Sequence, residues 1–470
     1  MMDSLAAPGQ DLASTKAARA LAIAISLLLL LGFALAESAE QLLAYVLILS
    51  AAVLPSILWI RLGARGIPVL QVAAMAHIPY FAWPILSGNE SALEYTQTEI
   101  TRAALTVAAY LLVATAAWYA ILPKMRLNVP VSTDSVGSSR VIRLVQFGLF
   151  VGLAFNVSNS SGWLASLGPY FGLVRTIAST SVILACFLLG VTRAQGLIRG
   201  KAFAIAGGAL CLLVALSWSS LMLVGGITYF LAVAFGYVMV ARRIPWLSVT
   251  AILIAVVILH SGKADMRDKY WADDSSGISS VFSIPGLMAE WAENGLRAIV
   301  TGDTGQSVID RASLLQMLLL TQTATPNRVN YLMGETYSFL PAIIIPRFVE
   351  SDKPASQVGM DVLNIRYGLL TVEGTASTAI GWGLIAEAYA NFGYFGVIGV
   401  AIVLGAVCGA FAVASANSPR LISLANLLSI ATMMGFILLE LDLIQLVSSL
   451  LQAYGVVLFF FMAYKWTAFR

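Results

Sequence analysis

Long apolar stretches separated by short polar connections recur along the chain from about residue 20 to residue 464. A helix needs about 20 mostly apolar residues to cross the hydrocarbon core of a bilayer. The pattern predicts twelve spans, at 20–36, 41–60, 67–86, 103–122, 143–158, 175–192, 202–220, 223–241, 246–260, 379–413, 421–440 and 443–464. Helices and closed barrels are the two folds that satisfy every backbone polar group in lipid. Runs of this length therefore predict an all-α polytopic membrane protein. The division of 202–241 into two spans rests on the polar break Ser217-Trp218-Ser219-Ser220.

Basic residues test the count, because they concentrate at cytoplasmic span ends and a missing span would invert everything after it. They cluster before span 1 (Lys16, Arg19), then after span 2 (Arg61, Arg65), span 4 (Lys124, Arg126, Arg140, Arg143) and span 6 (Arg193, Arg199, Lys201). Further groups follow span 8 (Arg242, Arg243), span 10 (Arg420) and the last span (Lys465, Arg470). These are alternate connections, so both termini are expected in the cytoplasm and the first span is expected to act as a signal anchor. The opposite connections carry Glu37 and Glu40, or Glu90, Glu94 and Glu99, or the uncharged run Asn156–Trp163.

One connection differs from the rest. Residues 261–378 are long and rich in charge, and by parity they face the outside. The chain thus divides into 1–260 with nine spans, an external loop at 261–378, and 379–470 with three spans. A structureless loop of this length is improbable in a compact protein, so the loop should fold into a cap over the bundle. Within it, Ser307 and Asp310 form a Ser-x-x-Asp cap signal, and Val308, Ala312, Leu315 and Leu319 share a helical face. A short amphipathic helix lying on the membrane surface is expected there.

Composition agrees with the spans. Hydrophobic residues make up 59% of the 470 and charged residues 11%, leaving too little polar surface for a water-soluble fold. The net charge of +3 gives no reason to expect nucleic acid as a partner. Cys186, Cys211 and Cys408 lie in apolar segments without Cys-x-x-Cys pairing. His77, beside Pro79 and Pro84, reads as a packed or hydrogen-bonded residue at a kink. With two histidines, no metal-ligand spacing, no Walker loop and no dinucleotide fingerprint, neither a metal nor a nucleotide cofactor is expected.

Three features carry candidate chemistry. His260, Lys263, Arg267 and Lys269 leave the ninth span together, as interfacial anchors or as a phosphate clamp. Arg347 and Lys353 stand between Pro346 and Pro354, and two cations on a stiffened turn suit a diphosphate. Arg366, Glu373 and Glu387 bracket the return to the bilayer. The run 379–413 is too long for one straight span, and its glycines permit a break facing a water-filled cavity. A carboxylate in lipid is costly, so Glu387 should face protein or water, as a functional group or in an ion pair with an arginine that fastens the bundle. Glu440 and Asp442 are candidates to line the same cavity.

The sequence resembles the Wzy-type O-antigen or oligosaccharide repeat-unit polymerases. The resemblance rests on the many spans, the large loop before the last few, and two stretches, 346–354 (PRFVESDKP) and 383–396 (GLIAEAYANFGYFG). The matching positions are Gly334, Tyr337, Pro346, Arg347, Lys353 and Pro354, then Glu387, Tyr389, Asn391, Gly393 and Gly396. The arginine-x10-glycine spacing of some members is absent at Arg267, Arg347 and Arg366.

The resemblance implies a GT-C-like fold in a bacterial inner membrane and a metal-independent glycosyl transfer. A growing glycan would pass from undecaprenyl diphosphate to a sugar hydroxyl of a lipid-linked repeat unit, alongside a flippase and a chain-length regulator. Cations at Arg267, Arg347, Lys353 and Arg366 would stabilise the departing diphosphate. Glu387 or Glu373 would take the hydroxyl proton. Tyr337, Tyr389 and Asn391 would line the substrate site, and Tyr367, Trp271 and Trp382 would offer faces to sugar rings. An O-antigen ligase and, from a different class, a flippase or transporter of lipid-linked oligosaccharide remain open alternatives.

Overall fold

The computed structural model describes residues 8–125, 138–271, 281–301, 313–345, 350, 353–376, 378–418 and 420–466. Helices dominate, with no β-strand among the described residues. In chain order the principal helices are α1 (Pro8–Leu35), α2 (Ala39–Arg61), α3 (Val69–His77), α4 (Gln97–Ile121), α5 (Ser138–Ser160), α6 (Phe171–Ala194), α7 (Gly200–Trp218) and α8 (Val224–Ala241). There follow α9 (Trp246–Ser261), α10 (Lys263–Trp271), α11 (Ile284–Thr301), α12 (Leu314–Ala324), α13 (Val358–Arg366), α14 (Gly383–Ala416), α15 (Leu424–Gly435) and α16 (Leu443–Trp466).

Among the described residues, ten helical stretches are long and apolar enough to cross a membrane. The number is eleven if α9 and the bent continuation Lys263–Tyr270 form one span. This is the architecture of a polytopic membrane protein. It differs from the twelve expected spans chiefly at 421–440, where the helix is α15 alone, 12 residues long. Beyond Gly435 the chain leaves the helix and runs through Ile437–Asp442 as turn and irregular backbone before α16. Non-helical backbone among spans is stable only where protein covers it. Here α14 supplies the cover: Gly383 donates its N–H to the Glu440 carbonyl at 3.3 Å. A Cβ on Gly383 would stand 2.7 Å from the Leu439 carbonyl oxygen, and one on Gly381 would stand 2.8 Å from Glu440 Cβ.

The chain forms two compact units. The first holds residues 1–132, 309–421 and 428–451, and the second holds 133–308, 422–427 and 452–470. In the first unit α14 packs along α4, and α2 packs against α4. Lipid is as apolar as leucine, so helices associate there through close packing rather than through exclusion from water. Small residues permit it: a Cβ on Gly405 would collide with the Ala114 carbonyl, and one on Gly409 would lie 3.0 Å from Ile121 Cβ. His77 behaves as expected at its kink, with Nδ1 2.8 Å from the Ala73 carbonyl and its ring stacked on Phe81. The π-helical turn Ile78–Ala82 follows directly.

The expected surface helix is corrected in its location. Its cap signal at Ser307 and Asp310 lies outside the described residues; α12 is capped by Ser313, whose side chain accepts from the Gln316 N–H. Leu314, Leu315, Leu318 and Leu319 are all buried, so α12 lies inside the first unit rather than on a membrane surface. Its apolar positions are nearly consecutive and surround the helix, and a helix apolar all round belongs in an interior. Gln322 Nε2 donates to Thr106 Oγ1 at 2.8 Å, fastening it to α4.

In the second unit α6 packs against α5 and α8, and α11 packs against α9. The α6–α8 approach is reciprocal. A Cβ on Gly190 would enter the Val233 carbonyl of α8, and one on Gly236 would enter the Phe187 carbonyl of α6. On α11, Ile284, Leu287, Trp291, Gly295 and Ala298 make the buried stripe. Lys269 and Tyr270 of α10 both donate to Glu290 of α11. Gly190→Leu or Gly236→Leu should separate α6 from α8 and lower stability by about 1–3 kcal/mol, the usual effect of overpacking. Unfolding of the purified protein in bicelles by added SDS measures this; unchanged midpoints for both variants would contradict the contact.

Candidate functional site

The site is built around a break in α14. Phe392 (φ −140°, ψ 17°) and Gly393 (φ 61°, ψ −144°) leave the helical region. A break strands carbonyls in the turn before it, because the amides four residues on no longer point back. The segment before the turn Thr336–Phe339 restores them: the Leu332 N–H donates to the Ala390 carbonyl at 3.0 Å, and the Met333 N–H to the Asn391 carbonyl at 3.1 Å. The left-handed φ at Gly393 favours glycine, and a Cβ there would also stand 3.0 Å from the Tyr331 hydroxyl.

Asn391 completes the stitching with its side chain. Its Oδ1 accepts from the Gly334 N–H at 3.0 Å, and its Nδ2 donates to Thr336 Oγ1 and to the Glu387 carbonyl, each at 2.9 Å. Thr336 Oγ1 passes its own hydrogen to Glu387 Oε1 at 2.8 Å. Glu387, one turn before Asn391, is fully buried, and its Oε2 accepts from the Leu443 N–H at 2.7 Å. The carboxylate thus fastens α14, the 332–337 segment and the start of α16. Its partners are a hydroxyl and a backbone amide, where the sequence had left an arginine ion pair open.

Asp442 joins this cluster as a second buried carboxylate. Its Oδ1 caps α16 by accepting from the Gln445 N–H at 2.7 Å. Its Oδ2 faces the first turn of α13, where a Cβ on Gly359 would stand 2.7 Å away. Tyr337 packs on Phe392 with ring centroids 6.1 Å apart. Burial, reinforced by the negative charges of Glu387 and Asp442, pushes its phenol well above the ordinary tyrosine range, so it stays an O–H donor. One buried atom in the cluster, Tyr337 Oη, has no hydrogen-bond partner, whereas the Asp442 carboxylate accepts from the Met360 backbone amide as well as from Gln445. A buried phenol left open can donate to a hydroxyl oxygen brought to it.

The structure brings Glu387, Asn391 and Tyr337 together and places the other sequence candidates elsewhere. Glu373 is exposed in a turn before Gly374–Ala376. Arg366 is exposed and donates to both Glu335 oxygens, at 3.0 and 3.1 Å, immediately before Thr336 in the chain. Lys353 Nζ donates to the carbonyls of Ile343 and Ile345, at 3.1 and 2.7 Å. Arg347 lies outside the described residues. Arg267 belongs to the second unit, where its Nη2 donates to the Leu221 carbonyl at 3.3 Å. Tyr389 packs between Tyr331 and Tyr394. Tyr367 and Trp382 are buried against each other at 4.9 Å. Their faces are spent on packing, which corrects the expectation that they meet sugar rings.

Thr336 and the weight of Asp442 were missed from sequence. Only the adjacency of Thr336 to Tyr337, and of Asp442 to the end of an apolar run, could have flagged them. Comparison with protein-family models, curated proteins and solved structures returned no match.

Asn391→Ala should strand the Gly334 N–H and remove the acceptor's support at Thr336. Its expected effect is about 1–3 kcal/mol of lost stability per stranded buried group, with faster hydrogen exchange confined to 331–337. Wild-type exchange in that segment would show that Asn391 does not hold it.

Proposed function

We propose that the protein is a lipid-linked glycan polymerase of the Wzy type, which moves a growing glycan from an undecaprenyl diphosphate carrier to a sugar hydroxyl of a lipid-linked repeat unit. The observation that carries this reading is the buried carboxylate pair Glu387 and Asp442 at a broken helix, with the open donor Tyr337 Oη in the same cluster. Unsatisfied buried polar atoms call for a partner, and a sugar hydroxyl offers the acceptor that Tyr337 Oη lacks.

In this reading Asp442 takes the proton of the acceptor hydroxyl as the new C1–O bond forms and the C1–O bond to the diphosphate breaks. Tyr337 orients that hydroxyl by donating to it. Glu387, whose two oxygens are already engaged, positions the segment that carries Tyr337 rather than taking the proton itself. The leaving diphosphate gathers negative charge, and nearby fixed cations would stabilise it. Among the described residues Arg366 is one candidate, tethered to Glu335, the residue before Thr336. Arg347 and Lys353 are assigned the same role from the resemblance.

The test is incubation of the purified protein in lipid with lipid-linked repeat units and no nucleotide, followed by separation of products. A ladder of lengthened lipid-linked glycans is expected. Asp442→Asn should slow its growth by about 100-fold or more while the thermal midpoint stays near wild type. In cells, loss of the gene should leave single repeat units on the surface acceptor. Loss of every unit would instead indicate a ligase or a flippase and would overturn the polymerase reading.

A further inference from the structure

The second unit contains a cavity of about 440 Å³ that the proposed reaction does not use. Its volume falls in the range of small-molecule sites, roughly 300–1,000 Å³. It forms where one end of several helices meets: the last turns of α5 (Asn156, Asn159, Ser160), the first turns of α6 (Arg175, Ser179), and the turn after α7 (Ser217–Leu221). These are the two polar runs that stood out in the sequence without a role, the uncharged connection 156–163 and the break at 217–220.

The lining is specific in what it lacks. Most of its donors are already committed inside the protein. Ser160 donates to the Asn156 carbonyl, Ser179 to Thr176, Ser219 to Leu216 and Ser220 to Ser217. Asn156 Nδ2 donates to the Gly152 carbonyl, and Tyr270 Oη to Glu290. Each hydroxyl has two lone pairs and a single hydrogen, so walls whose hydrogens are spent offer acceptors. Such walls suit a ligand that brings its own hydrogens, one with several hydroxyl groups.

One charged group lines the cavity, Arg175. Among the described residues no carboxylate pairs with it, and its guanidinium lies 5.9 Å from the centroid of the Phe171 ring on its own helix. An unpaired guanidinium at the edge of a hydroxyl-lined cavity is a site for a planar or tetrahedral anion. The floor is held in place from below. Leu221 adopts φ 59°, a strained region for a branched side chain, and its carbonyl accepts from Arg267 of α10. Strain of this kind persists where the surroundings over-determine it, and it gathers at ligand sites.

We infer that this cavity binds a polyhydroxylated sugar carrying one anionic group, a carboxylate or a phosphate, with Arg175 taking the anion and the serine and asparagine oxygens accepting from the sugar hydroxyls. The site is independent of the polymerase reading, because it uses none of the Glu387 cluster and is read by binding alone.

The test is saturation-transfer NMR on the full-length protein in nanodiscs, with D-glucuronate, glucose 1-phosphate, D-glucose and inorganic phosphate as probes. Glucuronate and glucose 1-phosphate should bind at least about tenfold more tightly than glucose, the effect of one charge-assisted contact. Inorganic phosphate should compete poorly. Arg175→Gln should bring the acidic sugars down to the affinity of glucose, whereas Asn159→Leu should weaken all three sugars. Equal affinity for glucose and glucuronate, binding of phosphate as tight as glucose 1-phosphate, or no binding by any probe would each overturn the inference. The wild-type comparison decides the matter on its own should Arg175→Gln fail to fold.

Discussion

The break in α14 is the constraint on which the site depends. A helix that crosses lipid can lose its backbone hydrogen bonds at a kink only if another group restores them. Here the restoring groups are the amides of Leu332 and Met333 and the side chain of Asn391. This single requirement brings a connecting segment, 331–337, alongside the helix. It thereby sets Thr336 against Glu387 and Tyr337 against Phe392. Gly393 makes the geometry attainable, since a side chain there would need both a left-handed backbone and the space that Tyr331 occupies.

The rest of the cluster follows from the same economy of polar groups. Ile437–Asp442 leaves the helix after Gly435, and its ends are met by α14 through Gly383 and Glu387. Asp442 caps α16 with one oxygen and presents the other toward the start of α13. Helix ends, a kink and a short irregular passage thus converge on two buried carboxylates. The irregular passages are where hydrogen-bonding capacity is left over, and leftover capacity is what can meet a substrate.

Much of this was legible in the sequence. The spans followed from apolar length, and the glycines of 381–399 foretold a break that the structure places at Phe392–Gly393. Glu387 announced itself as a charge in an apolar run. Other parts were hidden for physical reasons. The 421–440 run is apolar enough for a span, and only tertiary contacts with α14 show that it stops being helical at Gly435. Between Leu314 and Leu320 every position but Gln316 is apolar, so a chosen subset mimicked a single face while these turns were in fact apolar all round. The buried stripe of α11 had a helical period throughout, from Ile284 to Ala298, and it passed unnoticed inside a charge-rich loop. Side-chain donors and acceptors pair across more than fifty residues here, and no local pattern encodes such a pairing.

The fastening of the 331–337 segment has two halves of unlike chemistry. Toward the interior it is held by buried hydrogen bonds through Asn391 and Thr336, out of reach of mobile ions. On its outer side Glu335 is held by Arg366, with the two side chains 36% and 55% exposed. Attraction between exposed charges is screened over about 8 Å at physiological ionic strength. Lower or higher ionic strength around the protein would therefore tighten or slacken only the outer tether, while the inner one stays as it was. Salt would thus reach the edge of the cluster without dismantling its centre.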